Sequence, residues 1–138
     1  MLQLFQCSPA ETDRAWSDGA HRLEEATKWA AREVTPDQLK MLISRGERTL
    51  LGARDEKGKI VGWAVIGIQQ LPNIRCLYIY ALQGRGVCSA EGVGLLKDFA
   101  VANGCTTIRG AVRASMARLL TKLGGKPLYQ TYEIEAAL

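Results

Sequence analysis

Apolar residues recur along this chain with two different periods, and the switches between them mark out its elements. LQLFQ near the N-terminus alternates and reads as a short edge strand, broken by Ser8-Pro9. From Thr12 to Val34 the period lengthens. Trp16, Ala20, Leu23, Thr27 and Ala30 fall at three- and four-residue steps, with Arg22, Glu25, Lys28 and Arg32 off that stripe. This predicts a helix, with a kink or break at Gly19. Thr35-Pro36-Asp37-Gln38 carries a cap, a first-turn proline and the far half of a capping box. A second helix starts there, turns Leu39, Leu42 and Ile43 inward, and stops at Gly46.

The period then returns to that of strands. Thr49 to Arg54 is a short strand, Asp55-Glu56-Lys57-Gly58 a turn, and Ile60 to Gln69 a long strand rich in β-branched residues. Together they predict an antiparallel hairpin. After Leu71-Pro72-Asn73, Ile74 to Leu82 is apolar on both faces and belongs in the middle of the sheet. A glycine-rich stretch, Gln83 to Gly94, leads into a helix over Glu91 to Asn103, whose buried face is Leu95, Leu96, Phe99 and Ala102. Gly104 ends it. Thr106 to Val112 is a strand, Ser115 to Leu123 a short helix, and Leu128 to Glu135 alternates as a closing strand. The unit from Ile74 to Val112 should be a right-handed parallel crossover. The expected fold is α/β with a mixed, mostly antiparallel sheet and flanking helices. At 138 residues, one domain over 1–138 is expected.

Composition narrows the function classes. The net charge of +4 permits an anionic partner but does not require one, and no run of like charges forms a basic tail. No apolar run approaches the roughly 18–20 residues that span a bilayer. MLQLFQCSPAETD has no basic start of the secretory kind, so a cytoplasmic protein without membrane contact is expected. Cys7, Cys76, Cys88 and Cys105 form no C-x-x-C pair, and the one histidine, His21, is far from them in sequence. This argues against a metal site and for reduced, partly buried thiols.

The segment that carries chemistry is the strand, glycine turn and helix from Ile74 to Asn103. Glycines before a helix let backbone N–H groups approach a phosphate, and the helix dipole favours the anion. On spacing alone, a tight connection is the more common reason for them.

Gln83-Gly84-Arg85-Gly86-Val87-Cys88 resembles the pyrophosphate loop, Q/R-x-x-G-x-G/A, of the GNAT superfamily of acyl-coenzyme A N-acetyltransferases. The strand ending LYIYAL, the helix ending Asn103-Gly104-Cys105 and the last helix running into LLTKLGG are similar to that family as well. The resemblance implies that acetyl-coenzyme A lies where the central strand splays from the next one. Its pyrophosphate would meet Gln83, Gly84, Arg85, Gly86, Val87 and Cys88, and its pantetheine arm the freed backbone of Ala81 and Leu82. An unknown amine would accept the acetyl group.

The chain departs from the family in informative places. Cys88 stands where the last small residue is usual, and Glu91-Gly92 where apolar helix residues are usual. Leu120 aligns with the tyrosine that protonates the leaving thiolate. IRCLYIYAL has no counterpart of the glutamate base, and the asparagine at the start of the last helix aligns near Arg113. The expectation is a GNAT-type architecture with weak or lost transfer, in which Tyr78, Tyr80 or Tyr129 stands in or merely packs. Arg109, Arg113, Arg118, Lys122 and Lys126 read as a solvated basic face or as partners of the adenosine phosphate; nucleic acid is a weaker reading because no aromatics interleave with them. Trp16 and Trp29 read as packing or as a substrate wall. LISRGERTLLGARD, LYIYAL–QGRG and RASMARLLTKLGG also resemble small GNAT-like proteins encoded among the virion genes of tailed bacteriophages. That likeness implies a non-catalytic alternative: a virion component that contacts other virion proteins or itself.

Overall fold

The computed structural model describes residues 1–28 and 33–137. Trp29, Ala30 and Arg32 therefore lie outside the described residues. Five strands form one sheet in the order β1-β2-β3-β4-β5: β1 (Gln3–Cys7), β2 (Thr49–Arg54), β3 (Ile60–Gln70), β4 (Arg75–Gln83) and β5 (Thr107–Gly110). The first three pairings are antiparallel and β4–β5 is parallel. The crossover between β4 and β5 is α4 (Ala90–Ala102).

Alternation assigns consecutive side chains to opposite faces of the sheet. Leu50, Trp63 and Val65 go to one core, with Leu23, Leu39 and Ile43 from the helices that precede β2. Leu51, Ala64, Ile66 and Leu77 go to the other, with Leu96 and Ala100 of α4. Both faces of β2 and of the middle of β3 are thus covered, which is why these strands read as nearly continuous apolar runs.

The first helical region is broken, as Gly19 predicts. α1 (Thr12–Ser17) ends before Gly19, whose φ of 125° lies outside any helix. A 3-10 turn (Ala20–Leu23) and the short α2 (Glu24–Thr27) follow. α3 (Pro36–Ser44) has the expected reciprocal cap. Gln38 N–H donates to Thr35 Oγ1 at 3.2 Å, and Thr35 N–H donates to Gln38 Oε1 at 2.9 Å. The hairpin turn is held by Asp55, whose Oδ1 accepts from the N–H groups of Lys57 and Lys59.

The end of the chain differs from expectation. α5 (Ala114–Lys122) forms, but no closing strand follows between Leu128 and Glu135. Leu128, Tyr129, Tyr132 and Ile134 are 52%, 79%, 80% and 88% exposed. A strand gains stability only from a paired neighbour and a covered face. Here the alternate face of Leu128, Tyr132 and Ile134 is interrupted by Gln130, and β5 is a four-residue template rather than the seven residues expected over Thr106 to Val112. Among the described residues, no helix is long and apolar enough to cross a membrane.

Candidate functional site

The site is built where β4 loses its neighbour. β4 pairs with β5 from Cys76↔Thr107 to Ile79↔Gly110 and no further. Of its remaining residues, Ala81 to Gln83 pair only with β3. Their backbone groups on the β5 side therefore have no strand partner among the described residues. This gap in the pairing lies at the carboxyl ends of two parallel strands, where open α/β sheets bind ligands.

A bulge re-aims β4 at the same level. Val65 pairs with Ala81 but Ile66 with Ile79, which leaves Tyr80 as the extra residue. Gly67 makes room for the displaced ring: a Cβ there would come within 2.9 Å of Tyr80. Tyr78 and Tyr80 lie with ring centroids 4.9 Å apart, and the Arg48 guanidinium sits 3.8 Å over the Tyr80 ring. Burial pushes the Tyr78 phenol above its ordinary range, and the nearby Glu33 carboxylate and the Tyr80 and Tyr129 hydroxyls add to this against the opposing pull of Arg48. At neutral pH Tyr78 is a protonated donor.

Past Gln83 the chain forms the glycine loop, which packs directly on β3. Val87 is buried over Gly62 and anchors it. Gly84 has φ 98°, and a Cβ there would come within 2.5 Å of the Val61 carbonyl. A Cβ on Gly86 would meet Val61 Cγ2 at 2.4 Å, and one on Gly92 would meet the Val87 and Gly86 carbonyls at 2.5 and 2.6 Å. Gly92 is thus what lets the first turn of α4 rest against the loop. Ser89 caps that helix, accepting from the Gly92 N–H at 3.0 Å while its hydroxyl donates to the Gly86 carbonyl at 2.9 Å.

The loop carries glycines at 84 and 86 packed on Val61, runs into a helix N-terminus capped by Ser89, and has Arg85 exposed, features of the kind that suit an anion. The Glu91 carboxylate, electrostatically wrong for such a ligand, is tied to the start of the chain by the Leu2 N–H at 2.8 Å. Two loop donors are already used: Gly86 N–H donates to the Val61 carbonyl and Cys88 N–H to the Gly84 carbonyl. An anion would therefore rely on other N–H groups of the loop and helix start. Cys88 is an exposed residue, yet enough atoms crowd its sulfur that burial raises the thiol pKa, with the Arg113 guanidinium pulling it down. It stays a neutral thiol at pH 7, which suits a small loop residue and not a nucleophile.

The sequence-predicted residues thus separate. Ala81 to Cys88 run consecutively from the end of β4 through the glycine loop. Tyr78 and Tyr80 precede them on β4, and Tyr129 lies close enough to influence Tyr78. Leu120 is half-buried on α5. Arg113 reaches toward Cys88, while Arg118, Lys122 and Lys126 are exposed on or after α5. Trp16 packs half-buried on the helical core, and the His21 Nδ1 donates to the Trp16 carbonyl at 2.9 Å, so both have structural work. Among the described residues no group of acidic, cysteine or histidine side chains could hold a metal ion. Arg48, Glu33 and the Val61-Gly62 platform were not legible as site residues. The one available signal was Val61-Gly62, a glycine inside an apolar strand, which marks a close backbone approach.

No protein-family model matches the sequence, and no curated protein is similar to it. Solved structures are. A ribosomal-protein-alanine N-acetyltransferase from Brucella melitensis biovar Abortus 2308 superposes with a TM-score of 0.71 at 14% identity, over 98% of this chain and 99% of its own. The aminoglycoside acetyltransferase HMB0005 from an uncultured soil metagenomic sample gives 0.67 at 20% identity, over 99% of each chain. The aminoglycoside acetyltransferase meta-AAC0020, also from uncultured soil and solved with sisomicin, gives 0.61 at 15% identity, over 99% of this chain and 96% of its own. At such identities the likeness speaks to architecture alone, and the architecture of this chain is that of the GNAT acetyltransferases.

Proposed function

We propose that this protein binds acetyl-coenzyme A at the unpaired end of β4 and transfers its acetyl group, slowly, to an amine. The observation that carries the reading is the junction of two features. β4 loses its β5 partner after Ile79, and the glycine-bearing loop over Val61-Gly62 begins four residues later. The loop around Gly84 to Cys88 and the start of α4 would hold the pyrophosphate. The unpaired backbone of Ala81 and Leu82 would hold the pantetheine arm by strand-like hydrogen bonds. The bound thioester supplies an activated acetyl group: the amine nitrogen bonds to its carbonyl carbon, the carbon–sulfur bond breaks, and the amine proton is lost to solvent or to a base.

Slowness follows from the side chains. β4 carries no carboxylate to take the amine proton, and Leu120 cannot protonate the thiolate. Each such group contributes about 10²–10⁴-fold where present, and positioning alone supplies much of the remainder. Tyr78, protonated and beside the bulge, is the donor best placed to compensate. A second reading, a non-catalytic contact protein such as a phage virion component, is favoured by the unburied C-terminal region. No residue of α5 is fully buried, and four large apolar residues after it are exposed.

Calorimetric titration with acetyl-coenzyme A separates the two. Saturable binding is expected, abolished by Gly86→Trp, together with slow thiol release when amines are added. Absence of heat at millimolar ligand would remove the acyl-carrier reading.

A further inference from the structure

One face of the sheet carries an arginine whose position is fixed and whose hydrogen-bonding edge is open. Gly67 is two residues from Val65 on β3 and so shares the face that packs against the helical core. Tyr80 lays its ring over Gly67, and Arg48, the residue before β2, lays its guanidinium over that ring at 3.8 Å. The stack sets the plane of the guanidinium and occupies only its flat side. The N–H donors around its rim remain. Arg75 donates its own to the Asn103 carbonyl and to Gln70 Oε1. Among the described residues, the half-buried Arg48 side chain makes no such hydrogen bond and pairs with no carboxylate.

The stack stands where β4 loses its partner. Ile79 is the last residue paired with β5, and the bulge at Tyr80 follows at once. Tyr78 adjoins it, with its ring centroid 4.9 Å from that of Tyr80. Arg109, also half-buried, is the register partner of Tyr78 on β5 and brings a second cation to this face. Two guanidinium groups repel a polycation, whereas an anionic oxygen group meets a fixed planar fork. An opposite charge is near as well, since the exposed Glu33 carboxylate acts on Tyr78. A molecule with an anion at one end and an amine at the other is thus matched at both ends.

We infer that Arg48 determines specificity for the acceptor: it holds a carboxylate or phosphate carried by the amine, whose nitrogen lies at the bulge beside Tyr78. The inference rests on the acetyl-transfer reading and names the acceptor class that reading leaves open, an amino acid or a phosphorylated amine. The anionic end takes no part in the bond changes, so Arg48 acts on acceptor affinity rather than on the chemical step.

Thiol release from acetyl-coenzyme A tests it with three primary amines of matched length, β-alanine, O-phosphoethanolamine and n-propylamine, and with the polycation spermidine. At least one anionic probe should be preferred to n-propylamine, and spermidine should be the poorest. Preference for β-alanine identifies a carboxylate, and preference for O-phosphoethanolamine a phosphate. Arg48→Met keeps an unbranched stem and removes the fork. It should cut the kcat/KM ratio of the preferred anionic probe to n-propylamine by roughly tenfold, through KM. Arg48→Lys keeps the charge without the fork and should fall between. A wild type that prefers n-propylamine or spermidine would overturn the inference, as would a ratio that survives Arg48→Met or transfer to neither anionic probe. Calorimetry with acetyl-coenzyme A alone separates the two failures. No binding removes the acetyl-transfer reading and this inference with it, whereas binding with the wrong selectivity removes this inference alone.

Discussion

At the level of single residues, the end of β4 and the glycine loop are shaped by side chains that are missing as much as by those present. Gly67 admits the Tyr80 ring, Gly62 admits Val87, and Gly84 and Gly86 admit the loop onto Val61. The bulge at Tyr80 then presents two phenols and Arg48 beside the unpaired end of β4. The pKa of Tyr78 is raised, chiefly by burial. The sign of the effect on stability follows. A folded-state pKa above the unfolded one, about 10 for tyrosine, means that the folded protein holds its proton more tightly. The contribution is complete below the unfolded pKa and is lost as pH rises through the folded one. Absorbance titration near the tyrosinate band should therefore show one phenol ionising later than in Tyr78→Phe. The wild type should lose more stability than Tyr78→Phe between neutral pH and strong alkali. Equal losses would mean that Tyr78 is solvated like the rest.

At the level of elements, what the sequence disclosed and what it hid have a common cause. Elements set by local chemistry were legible: the Thr35 capping box, the Asp55 to Gly58 turn, the stop at Gly104 and the break at Gly19 all depend on neighbours within a few residues. So was the glycine loop, because a missing Cβ is visible in the sequence. The bulge at Tyr80, the Arg48 contact and the failure of the closing strand were not. Each depends on what a distant segment does, and alternation in the tail is identical whether or not a partner strand is present. Glycines illustrate the same distinction inside α4. Gly92 and Gly94 look equivalent in sequence, yet a Cβ on Gly92 would collide with two loop carbonyls and one on Gly94 would meet nothing within 4 Å. Gly92→Ala should destabilise the protein by about 1–3 kcal/mol, the usual range for overpacking. Gly94→Ala should stabilise it by about 0.4–1 kcal/mol through the unfolded chain. Urea denaturation of the two variants reads both signs, and equal effects would show that α4 does not rest on the loop.

At the scale of the whole molecule, the fold and the glycine loop share one set of contacts. The loop is held by β3, α4 is held by the loop, and α4 covers one face of the sheet through Leu96 and Ala100. A ligand seated in the loop would thus stabilise the native sheet as a unit, and it has no site on the unfolded chain. Such linkage amounts to about 2.7 kcal/mol when free ligand is a hundredfold above its dissociation constant. For a chain of this length that corresponds to a rise of roughly 10 °C in melting temperature. Gly86→Trp cannot test this cleanly, since a side chain there strikes Val61 and would lower the melting temperature of the free protein as well. Arg85 is exposed and packs nothing in the core, so Arg85→Glu separates the two effects. The free variant should melt with the wild type. Its ligand-induced rise should shrink by about half at equal ligand, the result of a tenfold weaker site, because each tenfold is worth about 1.4 kcal/mol. A rise identical in wild type and variant would place the bound pyrophosphate away from the Gln83 to Cys88 loop.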